Sequence, residues 1–158
     1  MLVVVLIGAQ AMLGCAARRE AARALLPTAD TVCIGLVGMS DPGASFVMRK
    51  AALHLGEEGF RYADTGCDVT ATYTNFNQGE WEVLTRTLLG TRSTNAWRAE
   101  GVVALRRGTT TVVEDDPIDL RDYSTMQELF DELASSIVEK VVAHYRPSAT
   151  PKPKSNAE

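Results

Sequence analysis

The chain predicts an α+β two-layer sandwich in which a mostly antiparallel sheet carries both helices on one face. Three observations lead there. Residues 60–114 hold successive runs of alternating apolar and polar side chains, which is the period of strands with one packed and one solvated face. Residues 124–145 repeat apolar side chains at helical spacing over roughly 33 Å, long enough to lie across a sheet. The elements follow in the order β-α-β-β-β-β-α, a long run of strands closed by a helix, where a doubly wound fold would alternate them.

At 158 residues, with 46% hydrophobic and 23% charged residues, the chain has room for one domain around one core. Thr31 to Val37, TVCIGLV, is β-rich and suits a central strand. Gly38 to Ser45 reads as a loop. Ser45 then caps a helix with Phe46, Val47, Ala51, Leu53 and Leu55 inward and Arg49, Lys50, Glu57 and Glu58 wet, and Gly59 stops it. Phe60 to Phe76 is extended, with Val69, Ala71 and Tyr73 on the packed face and Asp68, Thr70, Thr72 and Thr74 on the other. Asn77-Gln78-Gly79 predicts a turn into a strand from Glu80 to Leu89, and Gly90 to Asn95 a polar loop.

In the next strand, Ala96 to Arg106, the residues Trp97, Ala99, Gly101, Val103 and Leu105 share a face. Arg107-Gly108 turns the chain into Thr109 to Glu114. Asp115 to Asp122 is acidic and holds Pro117, so it reads as a solvated surface connection. Ser124-x-x-Gln127 has the capping-box pattern, and Met126, Leu129, Phe130, Leu133, Ile137, Val138, Val141 and Val142 form the inner stripe of the last helix. Residues 147–158 are Pro- and Ser-rich without an apolar anchor and read as a disordered tail.

The sequence carries no catalytic constellation. Gly38 to Ser45, GMSDPGAS, has nearly the spacing of a phosphate-binding loop, but Ala44 stands where the lysine would be and Pro42 removes an amide. Gly8 and Gly14 do not make a dinucleotide fingerprint. His54 and His144 sit on helices, away from metal-ligand spacing, and there is no G-x-S-x-G elbow. Glu114, Asp115, Asp116 and Asp119 read as solvent-facing and not as an acid/base pair. The reading is therefore a non-enzyme with no cofactor and no metal. A net charge of −4 gives no basic footprint, so nucleic acid is not an expected partner. Tyr73, Phe76, Trp81 and Trp97 fall in the strand-rich middle, where alternation makes most of them core. Any that faces outward marks a binding surface, with Trp81, Arg86, Trp97 and Arg98 the residues to watch.

The first fifteen residues, MLVVVLIGAQAMLGC, decide the compartment. The apolar run ends at small residues and a cysteine, and Arg18-Arg19-Glu20 cuts it short of the ~20 residues a spanning helix needs. Gly14-Cys15 resembles the end of the lipobox of bacterial lipoproteins, in which a small residue precedes the lipidated cysteine. Leu13 and Met12 depart from the usual residues there. Ala9-Gln10-Ala11 offers an alternative cleavage site that releases a soluble exported protein. A third reading makes Leu2 to Ile7 a buried first strand of a cytoplasmic α/β protein with a small-molecule site at the Gly8 or Gly38 turn. With Cys15 acylated, Cys33 and Cys67 remain as a pair that either bridges in an oxidising compartment or stays as two buried thiols.

Taken whole, the chain resembles small lipoproteins of the bacterial envelope. The carriers are Gly14-Cys15, the phrase Leu55 to Phe60 (LGEEGF) ahead of an Asp68-containing strand, and the helix Ser124 to Val142. They are similar to auxiliary lipoproteins of envelope transporters and to lipopolysaccharide-assembly lipoproteins. The resemblance implies a signal peptide over 1–14, a lipid-anchored tether over 15–30, the α+β domain over 31–146 and the tail over 147–158. It also implies a non-catalytic binding or assembly component on the periplasmic face of the outer membrane, held there through acylated Cys15, with Ala16 as the sorting residue.

Overall fold

The computed structural model of the protein describes residues 21–148. The readings placed on Leu2 to Ile7, Gly8, Gly14 and Cys15, and on the tail after Ser148, lie outside the described residues. In chain order the elements are β1 (Thr28–Ala29), β2 (Thr31–Val37), α1 (Asp41–Glu57), β3 (Arg61–Tyr62), β4 (Val69–Thr87), β5 (Gly90–Arg107), β6 (Thr110–Tyr123), α2 (Met126–His144) and β7 (Arg146–Pro147).

Five of these make one sheet in the order β3-β2-β4-β5-β6. β2 runs parallel to both of its neighbours, while β4, β5 and β6 form an antiparallel meander. Its three interior places are held by β2, β4 and β5. The predicted two-layer α+β sandwich is the architecture found. β1 and β7 form a separate parallel pair, and Ala29 within it is buried. The folded body thus includes residues ahead of Thr31.

One face of the sheet and both helices supply the core. Val32, Val69, Ala71, Tyr73, Ala99, Val103 and Leu105 from the strands meet Val47, Ala51 and Leu55 of α1 and Leu129, Leu133, Ile137 and Val141 of α2. The period-two stripe predicted on β4 and β5 and the helical stripe on α2 are what fill it. Two predicted members fall outside: Leu53 and Met126 are exposed. Gly43 lets the first turn of α1 approach α2, since a Cβ there would stand 2.9 Å from Phe130 Cζ.

Five local expectations are corrected. α1 starts at Asp41 and not at Ser45, with Pro42 in its first turn, where a residue lacking an N–H costs nothing because that amide has no helical partner. The expected turn at Asn77 to Gly79 is regularly paired chain inside one 19-residue strand, just past a bulge: Asn75 pairs with Gly101 and Asn77 with Glu100, leaving Phe76 as the extra residue. The loop expected at Gly90 to Asn95 is the start of β5, and the reversal comes at Leu88-Leu89.

The connection expected at Asp115 to Asp122 is part of β6. Pro117 is tolerated because β6 is an edge strand. Asp115 and Asp122 take positive φ (53° and 66°) where the β5–β6 register slips, a conformation Asp accepts better than most residues. The capping box is displaced by one residue: Thr125 Oγ1 accepts from the Glu128 amide (3.1 Å), and Glu128 Oε2 accepts from the Thr125 amide (3.3 Å).

Candidate functional site

β6 leaves the sheet at the pair Trp97–Tyr123, while β4 and β5 continue paired to Thr87 and Gly90. Residues 81–96 therefore form a two-stranded arm beyond the helices, about 23 Å long from Trp81 to Leu88 at the rise of a strand. The partner-surface residues proposed from sequence all fall on this arm or at its base. Trp81, Trp97 and Arg98 border one cleft, and Arg86 lies outside it.

Trp81 and Arg98 do come together. The Arg98 guanidinium lies 3.7 Å from the Trp81 ring centroid, a cation-π contact worth about 0.5–2 kcal/mol depending on its dryness. Arg98 also pairs with Glu100 (3.0 Å), and Glu100 reaches Arg121 (3.4 Å), which binds Asp119 at 2.6 Å. Arg121 holds the Asp119 carboxyl below the usual carboxylate range. Arg98 Nε is buried without a hydrogen-bond partner.

Trp97 turns the other way. It pairs with Glu80 while its neighbour Ala96 pairs with Trp81, so the two indoles leave opposite faces of the ribbon, and Trp97 packs on the edge of the core. Arg86 lies five residues further out. Of the four aromatics expected to be mostly core, Tyr73 is fully buried and Trp97 partly so, whereas Phe76 and Trp81 are exposed.

Trp81, Val83, Ala96, Trp97, Arg98, Arg121 and Asp122 line a cleft of about 310 Å³ at the base of the arm, together with Glu82. It offers an aromatic face, two guanidinium groups and the carboxylates of Asp122 and of Glu82, which accepts from Ser93 Oγ. Sequence reasoning missed Glu100 and Arg121 and read Asp119 as part of a solvated connection. The spacing of Asp119 and Arg121, two apart, would have put them on one face had the segment been read as a strand.

The opposite end of β4 is held differently. The Asp68 carboxylate accepts from the backbone amides of Asp30 (2.8 Å) and Thr31 (3.1 Å), and its own amide bonds Thr31 Oγ1 (3.0 Å). Those bonds hold the Asp68 carboxyl below its ordinary range, the Asp30 amide first. Arg61 pairs with Asp30 beside them. Cys33 and Cys67 are joined as a disulfide, Cα to Cα 5.7 Å, across 34 residues of chain.

The Gly38 turn has a structural occupant. Gly38 has φ +78°, its carbonyl accepts from Asn75 Nδ2 (3.1 Å), and a Cβ on it would stand 2.8 Å from the Asn75 carbonyl oxygen. The residues after it enter α1, where Pro42 removes one amide from the first turn and no lysine accompanies the rest. His54 sits between Glu57 (3.2 Å) and Asp131 (3.6 Å), and His144 Nδ1 lies 3.0 Å from the Lys140 carbonyl. Among the described residues no three of His, Cys, Asp and Glu gather where a metal could bind, and no helix is long and apolar enough to cross a membrane.

No family model and no curated protein sequence matches the chain. Solved structures do. The minor lipoprotein from Acinetobacter baumannii is 10% identical over 72% of this chain and 93% of its own, with a TM-score of 0.50. The PelC dodecamer from Paraburkholderia phytofirmans is 12% identical over 77% and 91% (TM-score 0.49), and the rare lipoprotein B from Shewanella oneidensis 11% over 72% and 95% (TM-score 0.46). The first of these shares its fold with this chain.

Proposed function

We propose that this protein is a non-catalytic lipoprotein of the bacterial envelope, anchored through acylated Cys15 and facing the periplasm from the outer membrane, with the β4–β5 arm as its binding element. The observation that carries the reading is the Cys33–Cys67 disulfide, because such bonds persist in oxidising compartments and are rare in the cytosol. The lipobox-like Gly14-Cys15 supports it, and so does a fold held in common with a protein named as a lipoprotein. Residues 1–14 are then the signal peptide and the segment from Ala16 towards β1 the tether. Acyl chains contribute about 0.8 kcal/mol per buried CH₂, so several on one cysteine hold the domain at a bilayer without a spanning helix.

The arm is suited to binding because its side chains are not spent on the core. Trp81 and Arg98, residue types that dominate binding hot spots, present an aromatic face and fixed charges at its base. Intact-mass measurement of the protein made in a bacterial host tests the reading. The expected product lacks residues 1–14, carries added acyl mass and shows no free thiol at Cys33 or Cys67. Cys15→Ala abolishes the added acyl mass. An unprocessed chain with free thiols at both positions overturns it.

A further inference from the structure

We propose that the tip of the β4–β5 arm is a membrane-contact finger that inserts Leu88 and Leu89 into an anionic lipid surface while Arg86 and Arg92 hold the phosphate layer. The inference rests on the reading of the arm as a binding element and names its partner by chemistry.

The reversal at the tip is made by Leu88 and Leu89, and both are fully exposed, at 107% and 100%. In this reversal the positive φ falls on Gly90 (+131°), so the backbone accepts leucine at the two positions before it, although their side chains face water. Two leucines at this place add nothing to the body's core, and they hold apolar surface out at the end of the arm.

Charge is distributed around them in a specific way. From Val83 to Ala99 the chain has Arg86, Arg92 and Arg98 and no Asp or Glu, within a chain of net charge −4. The register pairs Arg86 with Thr91 and Arg92 with Thr85, so the two outer guanidinium groups leave opposite faces of the ribbon. Cations on both faces, just below an apolar tip, match a plane of phosphates surrounding an inserted finger. Leu88 lies two positions beyond Arg86, about 7 Å of strand. That falls within the roughly 5–10 Å by which interfacial apolar groups sink below headgroups.

The finger is also remote from the place where the chain enters the body. The Asp30 amide is bonded to Asp68 at the foot of β4, and the 19 residues of β4 carry the tip about 60 Å from it. A lipid contact at the tip is thus a second point of attachment, separate from any anchor ahead of β1.

The test uses the full chain carrying Cys15→Ala, so that acylation at that position contributes nothing, sedimented with phosphatidylcholine vesicles with and without phosphatidylglycerol. The expected result is binding that requires phosphatidylglycerol and weakens with salt. Leu88→Asp with Leu89→Asp lowers it at least about tenfold. Arg86→Gln with Arg92→Gln lowers it about 30-fold, from about 1 kcal/mol per Arg at an anionic surface. None of these side chains is buried in the core, so an unchanged unfolding midpoint certifies that the variants are folded.

A Cys15→Ala chain left in the supernatant with phosphatidylglycerol vesicles overturns the proposal, as does a tip variant that binds as well as its parent. Crosslinking from the arm in cells separates this failure from failure of the arm's role. A crosslink to a protein that the tip variant abolishes, without vesicle binding, keeps the arm as a binding element and removes the lipid. Tip variants that change neither measurement remove both.

Discussion

The ring of Tyr73 lies against the backbone of Gly101, so closely that a Cβ built on the glycine would stand 2.5 Å from Tyr73 Cε2. Tyr73 pairs with Val103 on the neighbouring strand, which makes Gly101 its diagonal neighbour on the same face. The absence of a side chain at Gly101 is what gives a fully buried tyrosine its place, just before the bulge at Phe76. The Tyr73 hydroxyl donates to Asn75 Oδ1 at 3.3 Å, and burial, with Glu100 nearby, pushes its pKa up to about 12.

Gly101→Ala is therefore expected to destabilise the fold by about 1–3 kcal/mol, as overpacking does, despite the better intrinsic propensity of alanine. Gly56→Ala in α1 is the control. Nothing lies within 4 Å of its missing Cβ, and that variant should gain up to about 1 kcal/mol. Urea unfolding of the two side by side checks both signs.

The displaced capping box makes a clean pair of variants. Thr125→Ala removes the acceptor for the Glu128 amide and should cost about 1 kcal/mol, whereas Ser124→Ala should fall within about 0.5 kcal/mol of the parent. Thermal or urea unfolding reads the difference, and equal effects would contradict the cap seen here.

The disulfide closes a loop of 34 residues, for which chain-entropy reasoning gives about 3–4 kcal/mol. Reduction, or Cys33→Ala with Cys67→Ala, should lower the urea midpoint accordingly. The register of β2 on β4, which is carried by backbone bonds from Val32 to Val37, should remain, so amide exchange in that ladder should stay cooperative.

Asp68 gives a pH dependence whose sign follows from its bonds. Its folded-state pKa is depressed, so its contribution is complete above the ordinary carboxylate pKa of about 4 and is lost as pH falls through the lower folded-state value. Asp68→Asn should cost about 1–2 kcal/mol at neutral pH, at the low end for bonds to a charged group because the site is solvated. The gap between parent and variant should close progressively below about pH 4. A gap that stays constant to low pH would mean that the carboxylate charge is not what holds Asp30 and Thr31.

Misreadings of the sequence cluster where a local signal competes with a ladder. Asn77-Gln78-Gly79 has turn chemistry, yet it lies inside β4 because β5 supplies partners on both sides of it. Pro117 and the acidic residues around it suggest a connection, yet they form β6 because an edge strand needs partners on one side only. The candidate site suffered from the same competition. Asp119 and Arg121 become neighbours of Glu100 and Arg98 only when 115–122 is extended and paired.

What the sequence determined by itself was the periodic part of the molecule: the buried stripe of Val69, Ala71 and Tyr73, the strand face Ala99, Val103 and Leu105, and the inner face of α2. Burial has a fixed period of two or 3.6 residues, and that period is written directly in side-chain polarity. Only the tertiary structure decided that β4 and β5 run past the helices as one arm, that Trp81 and Trp97 face opposite ways, and that Cys33 meets Cys67. Those outcomes depend on strand register and on bulges such as Phe76, where one inserted residue changes the face of everything beyond it. No stretch of chain read without its pairing partner contains that information.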